Sequence, residues 1–95
     1  MKKFAFLTVG FEKPTPEIMT AWGAWFTSIK DNIVEQYGLR NGREISAAGT
    51  KDLPMGLDSL TGLMVVNAES LEEAEKMAQT NPYITSIRIY ELMSH

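Results

Sequence analysis

Apolar and polar positions recur along this chain with two periods, and the changes of period divide it into strands and helices. Residues 3 to 9 are apolar or β-favouring on both parities, with Phe4, Phe6 and Thr8 on one and Ala5, Leu7 and Val9 on the other. Such a run predicts a central strand covered on both faces. Gly10 to Pro14 reads as a loop. Thr15-Pro16-Glu17 then opens a helix: a hydroxyl N-cap, proline at the first helical position, and an acid at the positive end of the dipole. Ile18, Trp22, Trp25, Ile29 and Ile33 follow at steps of four, three, four and four, and Met19 and Phe26 widen the stripe. The pattern carries this helix to Tyr37, with Gly38 as its C′ residue. Gly23 inside it costs about 1 kcal/mol of propensity against Ala, which points to close packing there.

Beyond the turn signal Asn41-Gly42, Arg43 to Ala48 reads as a short polar strand, and Gly49 to Ser59 as a loop holding Pro54 and Gly56. Leu60 to Asn67 is the second strand that is apolar on both parities. Ser70-Leu71-Glu72-Glu73 is a capping box, and Leu71, Ala74, Met77 and Ala78 form the stripe of a second helix that Asn81-Pro82 ends. Ile84 to Leu92 is a last strand, in which Ile87 and Ile89 oppose Arg88 and Tyr90. The order βαββαβ predicts one α+β domain over residues 1–95 with a ferredoxin-like plan. Its four-stranded antiparallel-type sheet carries both helices on one face, with strands one and three central.

Two helices cover one face only. The other face, still apolar along both central strands, is larger than a monomer usually exposes, so a homodimer packed through the sheet face is expected. Composition narrows the rest. There is no cysteine, which removes disulfides, thiolate metal sites and cysteine nucleophiles. The net charge is −3, and the nine lysines and arginines are scattered without a basic stripe, so no nucleic-acid partner is expected. The apolar run after Lys2-Lys3 is too short for a secretory signal, and no stretch reaches bilayer length. The reading is a cytoplasmic protein with no membrane partner. Gly38, Gly42 and Gly49 match neither a phosphate loop nor a dinucleotide fingerprint.

Several segments together resemble the YCII-related family of the dimeric α/β barrel superfamily. They are the Met1-Lys2-Lys3-Phe4 opening, Pro16 to Met19, Ala21 to Phe26, Leu60-Thr61-Gly62, Ala68 to Ala74, Asn81-Pro82-Tyr83, and the closing Ile87 to Met93. The tract from Ser70 through Tyr83 is the most typical. The resemblance implies a ferredoxin-like protomer, a dimer with sheets facing each other, and a cleft near the first helix. In some relatives a first-helix histidine with a nearby aspartate is proposed to act there, and one branch removes chloride from a hydroxymuconate-type acid. This chain departs from that pattern. Its first helix has Trp22 and Trp25 and no histidine, and its one histidine is His95. Asp52-Leu53-Pro54-Met55 does not match the Asp-Gly-Pro-Phe hairpin of another branch.

The residues that could carry chemistry are few. Trp22 and Trp25 share a helix face and can be core residues or the walls of a flat apolar pocket. Arg88 and Tyr90 share one side of a strand, where Arg88 serves either an interface ion pair with Glu91, Glu44 or a partner's acid, or an anionic ligand. Arg43, Ser46 and Asp31 are further ligand-binding candidates. The acids Glu69, Glu72, Glu73 and Glu75 are accounted for by the start and the solvated face of the second helix. His95 reads as a chain terminus, and neither a metal site nor a cofactor is expected. No internal histidine is present to activate a serine. Two functions fit: a cofactor-independent enzyme acting on a small organic acid near the first helix, and a non-catalytic dimeric module for small-ligand binding or assembly.

Overall fold

A computed structural model of the chain describes residues 1–93. Strand β1 (Lys2–Val9) and strand β5 (Leu60–Ala68) pair antiparallel at the centre of a four-stranded sheet. β6 (Ser86–Glu91) lies on the far side of β1 and β2 (Ile33–Gly38) on the far side of β5, giving the order β2-β5-β1-β6, antiparallel throughout. Helices α1 (Pro16–Ile29) and α2 (Leu71–Gln79) pack on one face of it. A separate hairpin, β3 (Gly42–Ser46) and β4 (Gly49–Leu53), is inserted between β2 and β5. The architecture is the ferredoxin-like βαββαβ plan with the two most apolar strands in the middle.

The core is one parity of the sheet closed by the helices. Phe4 and Phe6 of β1 face Val66 and Met64 of β5, and Trp25, Ile29, Ala74 and Ala78 pack down on them, all buried. Both N-caps form: Thr15 Oγ1 accepts from the Ile18 amide at 3.2 Å, and Ser70 Oγ from the Glu73 amide at 3.2 Å. Each removes one of the unpaired donors that every helix start leaves.

Four expectations are corrected. The first helix stops at Ile29, not Tyr37, and passes through a 3-10 turn (Lys30–Asn32) into β2. Asp31 and Asn32 favour turns, while Ile33, Val34 and Tyr37 favour strand. The Asn32 side chain fixes the exit by donating to the Asn67 carbonyl at 2.8 Å. The second strand of the sheet is therefore Ile33–Gly38, and Arg43–Ser46 belongs to the separate hairpin. The expected loop after Gly49 contains β4. Gly23 does not mark close packing either, since a Cβ there would meet nothing within 4 Å.

The face away from the helices presents the other parity: the half-buried Leu7 of β1 beside Val65 and Leu63 of β5, with Tyr37 and Glu35 on one edge and Arg88 and Tyr90 on the other, while Ala5 and Val9 of β1 are buried. The chain exposes 6968 Å², against roughly 5,500 Å² for a compact monomer of its mass. Its radius of gyration is 14.4 Å, against about 12.4 Å for a compact domain of this length.

Candidate functional site

A cleft of about 480 Å³ opens between α1 and the sheet, within the range of small-molecule sites. A row of missing side chains creates it. Gly38 of β2, Gly62 of β5 and Thr8 of β1 are direct cross-strand neighbours, so the strip of sheet that shares the cleft with Trp22, Trp25 and Phe26 of α1 carries little more than backbone and one hydroxyl. The strip cannot be filled cheaply at its centre: a Cβ on Gly62 would stand 2.6 Å from Thr8 Oγ1. A β-bulge at this point adds a polar corner. Thr61 is the extra residue of the register shift, and its hydroxyl lies 3.3 Å from the Thr8 carbonyl, 3.2 Å from the Gly10 carbonyl and 3.3 Å from the Thr8 hydroxyl.

The roof is aromatic. Trp22 and Trp25 meet edge to face with ring centroids 5.8 Å apart, and Phe26 lies 5.6 Å from Trp22 and 5.5 Å from Trp25. The two indoles are held differently. Trp25 is 4% exposed, and its Nε1 donates to the Met77 carbonyl at 2.8 Å, tying α1 to the end of α2. Trp22 and Phe26 are only half-buried and form the cleft wall. Ile87, Met64 and Phe6 add to the apolar lining, and the exposed Gln36 supplies a neutral amide.

Among the described residues, no Asp, Glu, His, Lys or Arg lines this cleft. Tyr37 is the one titratable residue along it among those described, and its register opposite Leu63 sets it on the uncovered face, 57% exposed. The arrangement can enclose a flat ring between indole and sheet and hydrogen-bond it through neutral hydroxyl, amide and backbone groups.

Of the residues singled out from sequence, Trp22 and Trp25 are brought together here. The others are elsewhere. Arg43 sits in the exposed hairpin with its Nε 3.1 Å from Asp52, and Ser46 Oγ accepts from the Ala48 amide in the hairpin turn. Asp31 is exposed in the 3-10 turn. Arg88 and Tyr90 lie on the uncovered face, pairing in register with Leu7 and Ala5. Arg88 there borders a second cavity of about 700 Å³, with Arg40, Glu44 and Asp58 among its lining. Glu91, one partner considered for Arg88, lies 3.9 Å from Lys2 instead. His95 falls outside the described residues, among which no group of three His, Cys, Asp or Glu is placed to hold a metal ion. No helix among them is long and apolar enough to cross a membrane.

Thr8, Thr61, Gly38, Gly62, Gln36 and Phe26 complete the site without having been singled out for it. The signals were a threonine within an apolar strand and an isolated glycine inside another, which marks a bulge or a close approach.

No family model matches the chain, and no curated protein matches it significantly by sequence. Among solved structures, its fold is similar to that of 5-chloro-2-hydroxyhydroquinone dehydrochlorinase from Burkholderia phenoliruptrix AC1100, a structure in complex with 2,5-dihydroxybenzoquinone. The TM-score is 0.60 and the identity 16%, over 98% of this chain and 95% of the other. At that identity the likeness establishes the shared fold.

Proposed function

We propose that this protein is a YCII-like homodimer that binds a small, flat, uncharged ring bearing hydroxyl or carbonyl groups in the cleft between α1 and the sheet. The observation that carries the reading is the cleft's lining: aromatic walls, a floor opened by Gly38 and Gly62, and neutral polar groups at Thr8 and Thr61. The ring bound by the fold neighbour has this general shape, and that neighbour is a dehydrochlorinase, the kind of chemistry attached to one branch of the family the sequence resembles. The apolar uncovered face supports the homodimer.

The enzymatic reading, with an arginine holding an organic acid, draws on the family resemblance and the fold match. Arg43 is engaged with Asp52, and Arg88 is on the opposite side of the sheet from the cleft. Within the cleft itself the lining favours binding over acid–base turnover.

The test uses the two tryptophans, both in the cleft wall, as reporters. Titration with catechol, hydroquinone and benzoate, followed by indole fluorescence and calorimetry, should show the two neutral rings binding more tightly than the carboxylate. A ring of about eight heavy atoms gaining roughly 0.5 kcal/mol per atom binds with a Kd on the order of 1 mM. Benzoate as the tightest ligand would contradict the neutral-ring reading and return attention to the arginines. Silence from the whole panel would leave the indoles as core residues and the assembly role in front.

A further inference from the structure

We propose that the β3–β4 hairpin is an arm that closes on a second copy of this chain, with Ile45 as its apolar contact. The inference rests on the homodimer reading above and adds the element that completes the interface.

Every residue from Gly42 to Leu53 is exposed, and the hairpin's extensive packing is strand on strand. A lone two-stranded hairpin is marginal in water. Its two cross-strand ion pairs, Arg43–Asp52 and Lys51–Glu44, lie on opposite faces and are largely solvated, so they add little. Within its own protomer, little beyond its own ladder holds it in place.

Ile45 stands opposite Thr50, on the same face as the Arg43–Asp52 pair, and is 81% exposed. A β-branched apolar residue one pair from the hairpin turn, beside a charged pair on its own face, has the layout of an interface contact with a polar rim.

Area and continuity name the occupant. The chain exposes about 1,500 Å² more than a compact monomer of its mass. That excess is of the size one protomer buries in a stable homodimer, where about 800 Å² per partner is standard and obligate dimers bury more. The arm is also continuous with the uncovered sheet face. It leaves the sheet just after Leu39, whose amide donates to the Thr61 carbonyl at 3.0 Å. Its base, at Gly42, Glu44 and Leu53, shares a cavity with Arg88 of that face. A second copy seated on the sheet therefore comes within reach of the hairpin.

The chain has no cysteine, so Ile45→Cys supplies a single thiol in the full-length protein without touching the core. Its reaction rate with a maleimide is compared with that of Glu12→Cys in an exposed loop, and the molar mass of each is read by light scattering. The expected result is a dimer in which the Ile45→Cys thiol reacts at least tenfold more slowly than the Glu12→Cys thiol. Adding Tyr90→Asp, which places a charge on the sheet face, should give monomers and restore the fast rate. A dimer whose Ile45→Cys thiol reacts as fast as the control overturns the arm and leaves the homodimer standing. A wild-type monomer overturns both.

Discussion

Trp22 and Trp25 stand three residues apart on one helix face, yet their environments separate them. Trp25 is locked by Phe6 beneath it and by the Met77 carbonyl at its nitrogen. Trp22 keeps part of its ring in the open and walls the cleft. The same division runs through the glycines of the floor, where it yields a test that separates binding from folding. At Gly38 a Cβ would meet nothing within 4 Å, so Gly38→Val extends methyl groups into the cleft from a strand position that favours β-branching. Its melting temperature should stay within about 2 °C of wild type, a change under roughly 0.5 kcal/mol, while the calorimetric signal for catechol falls at least tenfold. Gly62→Ala should behave otherwise. Its Cβ runs into Thr8 Oγ1 and forces that hydroxyl off the Thr61 hydroxyl, costing about 1–3 kcal/mol as an overpacked site and lowering stability and binding together. Equal melting for the two variants would remove the row Gly38–Gly62–Thr8 as the origin of the cleft.

At the scale of elements, the sequence was readable wherever the local signal and the tertiary demand agreed. β1 and β5 announce themselves by apolar residues on both parities, and Thr15-Pro16 and Ser70-Leu71-Glu72-Glu73 mark helix starts through bonds that form within one turn. The end of α1 was hidden because Ile29 and Ile33 continue the helical spacing across a turn. The sheet's need for an edge strand on β5 decides the matter, and that partner is distant in sequence. The hairpin is half legible, because Asn41-Gly42 is a sound turn signal but nothing local states which sheet the strand after it joins. The cleft was legible only on its aromatic side, since its floor arises from the register that sets two glycines and a threonine side by side. Gly10 holds the remaining loops to this frame. It has φ +110°, its amide donates to the Ser59 carbonyl at 2.7 Å, and a Cβ would meet the Thr85 backbone nitrogen at 2.8 Å and Ile84 Cβ at 2.9 Å. Backbone strain and collision combine there, so Gly10→Ala should destabilise by at least about 3 kcal/mol in urea unfolding. A loss below about 1 kcal/mol would mean that the segment at Ile84 and Thr85 can move aside.

At the scale of the whole molecule, the sheet face and the hairpin pose one question, because both leave apolar surface that folding alone does not cover. Leu7, Leu63 and Val65 lie side by side on the uncovered face, with the 55%-exposed Tyr90 on its edge and Ile45 further out on the arm. A small domain with this much exposed surface is marginal alone, so association should contribute directly to its stability. Mass action then makes the melting temperature depend on concentration. Between about 2 and 200 μM the midpoint should rise by roughly 5–10 °C, since a hundredfold change in concentration is worth about 2.7 kcal/mol of linkage per dimer and each kcal/mol moves a cooperative unit of two such chains by about 2–4 °C. Tyr90→Asp should abolish the dependence without altering far-UV circular dichroism at the lower concentration, because its side chain is largely exposed in the protomer and its backbone stays paired with β1. Tyrosine is among the residues that most often anchor interfaces, which makes this position, rather than any in the core, the sharpest place to ask the question. A midpoint that ignores concentration in the wild type would show that no second copy covers the face, and the cleft would then have to be understood in a monomer.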